Sequence, residues 1–211
     1  MKNEVSAKLH SGELYDPMDP EITEVQSRAV MRLYEYNQTA PQEAEKRQRL
    51  LEEMLWECGE GCHIEPPFHA NWGGYFLHLG EGVYANFSLT LVDDTHIYIG
   101  DHTLIGPNVT ISTANHPINP EIRSQGWQYN LPIHIGKNCW LGSGVIISAG
   151  VTIGDNTVIG AGSVVTNDIP ADSLAFGTPC RVIRAIDETD RVYYHKTTRI
   201  PQEIRKQFGL E

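Results

Sequence analysis

From Ile135 the chain repeats every six residues: IGKNCW, LGSGVI, ISAGVT, IGDNTV, IGAGSV and VTNDIP each open on an aliphatic residue, most with glycine second. A further run, IGDHTL, IGPNVT and ISTANH, starts at Ile99, and a weaker one, LGEGVY, ANFSLT and LVDDTH, starts at Leu79. This period excludes helix. At about 100° per residue a helix would scatter Ile135, Leu141, Ile147, Ile153 and Ile159 around its axis. Six is an even number, so a strand points all of them to one side. The positions two before each aliphatic, Cys139, Val145, Val151, Thr157 and Ser163, share that side and are small or β-branched. Glycine, Asn and Asp then mark corners, where the chain must turn tightly.

A short strand and a turn every six residues close into a triangular coil of about eighteen residues, with rungs stacked about 4.8 Å apart. The expected fold class is therefore mainly β, a parallel β-helix of roughly four to five coils by that period. The open ends of such a solenoid need covers. Residues 19–57 read as two helices, the first with a stripe of Ile22, Val25, Ala29, Leu33 and Tyr36, the second starting near Pro41 and carrying Leu50, Leu51, Met54 and Leu55. The charged segment after about residue 181 suits the other end. We expect a helical leader over 1–58, the β-helix over 59–185 and a tail over 186–211. The repeat is broken by a long polar stretch, loop 112–132, and a loop of that length inside a regular array is usually functional.

A formal charge of −11 argues against nucleic acid or an anionic membrane surface as partner, since both need a basic face. The cations are unevenly placed. Seven of the sixteen Lys and Arg follow residue 180, whereas residues 50–180 hold only Arg123 and Lys137. An anionic ligand should therefore direct its phosphates to the C-terminal part. The first twenty residues carry no signal-peptide apolar run, and no stretch reaches the roughly 18 apolar residues of a membrane span. Four cysteines in a glycine-rich chain of 211 residues suit a reducing compartment, so a cytoplasmic location is expected. Cys58, Cys62 and His63 lack the second cluster that a structural zinc site uses, and no metal is expected.

Three stretches, YANFSLTLVDD (84–94), IGPNVTISTANHP (105–117) and the run from IGKNCWLGSGVII to GTPCRVIR (135–184), together with LYDPMDPE and LYEYN in the leader, resemble the maltose and galactoside O-acetyltransferase family of hexapeptide-repeat acyltransferases. The resemblance covers almost the whole chain. It implies a left-handed winding, acetyl-CoA as acyl donor, a sugar acceptor and a homotrimer in which the CoA arm lies between neighbouring solenoids. It also implies that Asn86 and Asp94 hold the acceptor, with Tyr84 and Asp16 beside them. CoA binding falls to Trp140, Ser143, Ala161, Thr166, Arg181 and Arg184, with the Ser143 amide as oxyanion donor.

Acetyl transfer from a thioester to an alcohol needs a base, donors for the tetrahedral oxyanion and positioning of both reactants. His116 is the candidate base, because imidazole accepts a proton near neutral pH and this one opens the long loop. His63, His69, His78, His134 and His195 read as surface or structural residues. Cys139 falls on a core position of its block, which favours direct attack over an acetyl-enzyme. Two rivals remain: a γ-class carbonic anhydrase, which needs three metal-binding histidines where His96 and His102 sit one repeat apart, and a non-catalytic hexapeptide scaffold.

Overall fold

The computed structural model describes residues 3–210. Its body is a parallel β-solenoid of about 6 turns. Side one stacks Glu57–Cys58, Leu77–Leu79, Ile97–Ile99, Ile133–Ile135 and Thr152–Ile153. Side two stacks His63–Ile64, Tyr84–Ala85, Leu104–Ile105, Trp140–Leu141, Val158–Ile159 and Ser173–Phe176, and is closed by antiparallel Arg181–Ala185. Side three stacks His69–Ala70, Thr90–Val92, Thr110–Ser112, Ile146–Ile147 and Val164–Val165.

The register is the six-residue period made physical. Ala85, Ile105, Leu141 and Ile159 pair rung to rung, as do Leu91, Ile111, Ile147 and Val165 with their own neighbours. All eight point inward and are at most 2% exposed. The small set fills the gaps between them: Cys139, Val145, Val151, Thr157 and Ser163 are all buried. Thr157 and Ser163 satisfy their hydroxyls by donating to the Pro170 and Gly160 carbonyls.

The structure has one coil more at its start than the repeats indicate. Glu57–Cys58, His63–Ile64 and His69–Ala70 form it, and they pair with the coil that begins at Leu77. Its inward residues include Cys62, Ile64 and Phe68, and Pro66-Pro67 interrupts the hexad, so the pattern is hard to see.

Three helices precede it: α1 (Asn3–His10), α2 (Pro20–Asn37) and α3 (Ala44–Met54). Asp19 caps α2 by accepting from the Glu21 amide, and Pro20 opens it. α3 starts three residues after Pro41, which instead lies in a turn closed by the Glu43 carboxylate on the Ala40 amide. Helix α2 is clipped to the first coil: Asn37 Nδ2 donates to the Phe68 carbonyl at 2.7 Å while its Oδ1 accepts the Phe68 amide at 2.8 Å. Tyr36 and Leu51, both at most 1% exposed, join the core below.

Glycine at the corners answers close backbone approach between coils. A Cβ on Gly142 would stand 2.6 Å from the Ala161 nitrogen and 2.9 Å from its Cα. Gly142→Ala is therefore expected to lower stability by about 1–3 kcal/mol, the usual cost of overpacking. A urea titration of the two proteins measures it, and equal midpoints would show that the coils spread at no cost.

Among the described residues no helix is long and apolar enough to cross a membrane.

Candidate active site

Most of the residues predicted to act collect on two edges of side three, and the rest stand on side two and its closing strand. One edge lies between sides three and one. There Thr110–Ser112 runs into the loop, which contains a short strand Ala114–Asn115, a helix α4 (Pro120–Arg123) and a returning strand Tyr129–Asn130 antiparallel to the first. Asn119 caps α4 by accepting from the Ile122 amide, and the Arg123 guanidinium donates to the Pro117 and Ile118 carbonyls. These bonds fix the backbone after His116, and the pairing of Ala114–Asn115 with Tyr129–Asn130 fixes it before.

His116 is exposed, and its Nδ1 lies 2.8 Å from the Trp127 carbonyl oxygen. A carbonyl only accepts, so the neutral ring carries its hydrogen on Nδ1. Among the described residues Nε2 has no partner, which leaves its lone pair free. That is the tautomer a general base requires.

Asp94 occupies the same edge one coil earlier and is only 5% exposed. Its Oδ2 accepts from Asn71 Nδ2 at 2.8 Å, and its Oδ1 from Gln128 Nε2 at 3.0 Å and Trp72 Nε1 at 3.4 Å. Neighbouring Asp93 is turned inward, accepts the Trp72 and Gly74 amides, and burial pushes its carboxyl up to about 8. The two adjacent carboxylates thus have different work: Asp93 ties down the Trp72–Gly74 turn, and Asp94 faces the site edge.

The leader completes this edge. Tyr15 exchanges both backbone hydrogen bonds with Gln128, at 2.9 and 3.1 Å, which sets exposed Asp16 beside the loop. The Tyr15 hydroxyl accepts from Gln128 Nε2 and Asn130 Nδ2, and burial raises its phenol well above the usual range. Thr166 also lies on this edge, further along the stack.

The second edge lies between sides two and three. It carries Ser143 and Ala161 at equivalent positions of consecutive coils, and Asn86 two coils before Gly142 with Gly106 and Pro107 between; the amides of Asn86, Gly142 and Gly160 bond to the next rung. Among the described residues the exposed amides of Ser143 and Ala161 have no hydrogen-bond partner. On the corner between sides one and two, the equivalent amides of Glu81 and Lys137 are taken by the Asp101 and Asp155 carboxylates. The difference marks this edge as a row of free donors. The half-buried Asn86 caps the Phe87 amide with its Oδ1, leaving its NH2 group to donate outward.

Outward from this edge on side two stand Tyr84, Leu104 and Trp140 in register, with exposures of 36%, 50% and 55%. Arg181 and Arg184 follow on the closing strand. Arg184 is already engaged: it forks onto Asp190 at 2.6 and 2.7 Å, holding that carboxyl at about 2. Among the described residues the Arg181 side chain bonds only to the Cys180 carbonyl.

The two edges are separated by the width of side three. Five residues from Leu89 to Asp94, at about 3.3 Å each, put them roughly 16 Å apart. The predicted acceptor set is thus divided: Asp94 and Asp16 sit with His116, whereas Tyr84 and Asn86 sit with the free amides. Tyr15, Gln128, Asn130 and Asn71 enter the site without having been predicted. Gln128 and Asn130 are two apart, the spacing that places both on one strand face, and this was the available signal. Among the described residues no group of three His, Cys, Asp or Glu side chains is placed to hold a metal ion; His96 instead pairs with His78 at 2.8 Å, and His102 turns a corner with φ of 57°.

Residues 8–59 match the maltose acetyltransferase hexapeptide capping motif, and residues 132–167 the bacterial transferase hexapeptide of six repeats. Galactoside O-acetyltransferase of Lactococcus lactis subsp. lactis (strain IL1403) is 51% identical over 195 residues, spanning 92% of this chain and 94% of that protein. The chain belongs to the galactoside and maltose O-acetyltransferase family. Galactoside O-acetyltransferase of Escherichia coli (strain K12) is 45% identical over 204 residues, or 97% of this chain and all of that one. A solved galactoside acetyltransferase in complex with coenzyme A superimposes with a TM-score of 0.88 at 47% identity, covering 91% of this chain and 96% of its own. The family's capping motif falls on the leader that carries Tyr15 and Asp16, so this galactoside and maltose acetyltransferase-type leader is bonded to the loop that carries His116 as well as serving as a cover.

Proposed function

We propose that the protein is an acetyl-CoA-dependent O-acetyltransferase that acetylates a hydroxyl of a maltose-, glucose- or galactoside-like sugar by direct transfer. The single observation that carries this reading is the imidazole of His116, fixed by the Trp127 carbonyl with Nε2 free, on the same edge as the Asp94 carboxylate. Relatives at 45–51% identity bear the name galactoside O-acetyltransferase, and one similar structure was solved with coenzyme A.

In the reaction the acceptor hydroxyl gives its proton to His116 Nε2 while its oxygen attacks the thioester carbonyl. The resulting oxyanion takes a hydrogen bond from the Ser143 amide. Collapse breaks the carbon–sulfur bond, and the departing thiolate recovers the proton from the imidazolium, giving the acetyl ester and free CoA. Asp94 and Asp16 accept from sugar hydroxyls, and Asn86 donates to them. The Ala161 amide and the faces of Trp140 and Tyr84 suit an extended pantetheine arm, Thr166 can donate its hydroxyl to the carrier, and Arg181 suits its phosphates. Arg184 can join only by exchanging Asp190 for phosphate.

An acetyl-enzyme has little support. Cys139 and Cys180 are buried and burial raises both thiols, Cys58 is pushed up to about 12, and Cys62 is 3% exposed. Four free cysteines also fit a cytoplasmic setting.

The roughly 16 Å between the two edges supports a site built from two copies. We infer a homotrimer, in which the His116 edge of one solenoid faces the free amides of the next, and the exposed Tyr84, Leu104 and Trp140 ladder lies at the seam.

The test is to incubate the protein and acetyl-CoA with maltose, glucose, galactosides and amino sugars, and to follow free CoA thiol. Thiol release that depends on a sugar is the expected result. Release without acceptor, or none with any of them, would overturn the reading.

A further inference from the structure

Gln128 occupies an unusual position in this network. Its backbone pairs on both atoms with Tyr15 of the leader, and it directly follows Trp127, whose carbonyl holds His116. Its side chain is 7% exposed for the residue as a whole and places Nε2 2.7 Å from the Tyr15 hydroxyl, 3.0 Å from Asp94 Oδ1 and 3.0 Å from Asn130 Oδ1. Two of these three neighbours, a carboxylate and an amide oxygen, can only accept, so the nitrogen end of the carboxamide must be the end that faces them. Asn130 Nδ2 in turn shares its two hydrogens among the Tyr15 hydroxyl, the Leu9 carbonyl and the Asp94 carbonyl, at 2.9, 3.0 and 3.1 Å. One buried amide therefore joins three separate pieces of chain: the leader, the loop and the Asp94 corner.

We propose that Gln128 is a positioning residue that fixes the Asp94 carboxylate for the acceptor and locks the leader onto the loop that orients His116. This rests on the acetyltransferase reading above. The physical reason is the cost of an unpartnered carboxylate oxygen at 5% exposure. Asp94 Oδ1 has two protein donors, and the Trp72 Nε1 contact at 3.4 Å is the weaker. Without Gln128 the carboxylate must turn toward water, and the face it offers to a sugar hydroxyl is lost. Among the described residues no hydrogen bond joins Asn86, Ser143 or Ala161 to this network, so the donor site should not sense the change.

The experiment compares Gln128→Met, which keeps volume and removes the donor, with Gln128→Glu, which keeps shape and sets a second carboxylate against Asp94. KM for the sugar should rise about 10–100-fold in Gln128→Met, as expected for a lost hydrogen bond to a charged group, and further in Gln128→Glu. KM for acetyl-CoA should stay within about twofold in both. In an Asp94→Asn background the Gln128→Met change should add less than about threefold, because its partner is already altered. Amide hydrogen exchange over residues 11–18 should quicken in Gln128→Met. Equal rises in both KM values, or full additivity with Asp94→Asn, would overturn the proposal and leave Gln128 a packing residue. If the wild-type protein transfers no acetyl group to any sugar, the failure lies in the functional reading, and quicker exchange over 11–18 alone then decides whether Gln128 holds the leader.

Discussion

His116→Ala is expected to lower kcat by about 10²–10⁴-fold while KM for acetyl-CoA changes little, the signature of a lost general base. Among the described residues the ring makes one polar contact, to the Trp127 carbonyl, and it is exposed. Its removal therefore leaves the fold intact and takes away only the proton acceptor. Steady-state kinetics with each substrate varied in turn, on protein whose melting temperature matches the parent, separates the two effects. Activity within a few-fold of wild type would remove His116 from the chemistry and shift attention to Asp16 and Asp94, the other proton acceptors on that edge.

The second large effect concerns stability against acid. On the outer face of side one, His10 of α1 packs on His96 with ring centres 4.4 Å apart, and His96 shares a hydrogen bond with His78. Around them lie Trp56, Phe76, Tyr98, the Thr95 hydroxyl that meets His10 Nδ1, Glu57 beside His78, and His134 stacked on Tyr98. Burial, followed by the neighbouring His10 and His78, lowers His96 from 6.5 to about 4, and burial lowers His10 and His78 as well. A folded-state value below the unfolded one means that the unfolded chain binds the proton more readily. Stability from this cluster is complete above pH 6.5 and drains away as pH falls toward 4. Glu57 limits the loss by favouring the charged form of His78.

Asp93 works in the opposite sense, since its raised carboxyl favours the folded state most at low pH and loses that advantage as pH rises toward 8. The histidine contribution is therefore isolated by difference. Denaturant titrations at pH 7 and 4.5 should show wild type losing about 1–2 kcal/mol more than His96→Phe, a figure reduced for solvent screening of this half-buried group. The same pH slope in both proteins would mean that the cluster tolerates charge. His10 belongs to α1, and Tyr15 follows it within five residues, so the acid-sensitive joint adjoins the leader segment of the site.

Much of this architecture is legible in the residue order. An even period with aliphatics at its head admits strands and excludes helix, and Ile135, Leu141, Ile147, Ile153 and Ile159 are all within 3% of complete burial. The first coil escaped notice because Pro66-Pro67 and Phe68 replace the aliphatic-glycine beat there. Pro41 pointed correctly to a helix start yet three residues early, because Glu43 prefers to close a turn on Ala40 before α3 begins.

The site was legible in part and for a definable reason. His116 stands out because a long loop interrupts the repeat, whereas Asp94 enters through the family resemblance. Spacing alone could not reveal that Asn86 and Asp94, eight positions apart, stand on different corners, because that follows from where the coil turns. Nor could it reveal that Arg184 is held by Asp190, six residues on, across the turn after the closing strand. The Tyr15–Gln128–Asn130 network joins residues more than a hundred positions apart, and contacts of that range leave no local pattern.

The central claim is that His116 on one edge and the free amides on the other serve a single transfer. A structure of the protein with coenzyme A and a sugar acceptor bound tests it most directly. The account predicts an acceptor hydroxyl within about 3.2 Å of His116 Nε2, and the thiol end of CoA beside the Ser143 amide of a neighbouring copy. A carrier whose sulfur lies away from both, or a sugar seated far from the Asp94 edge, would contradict it.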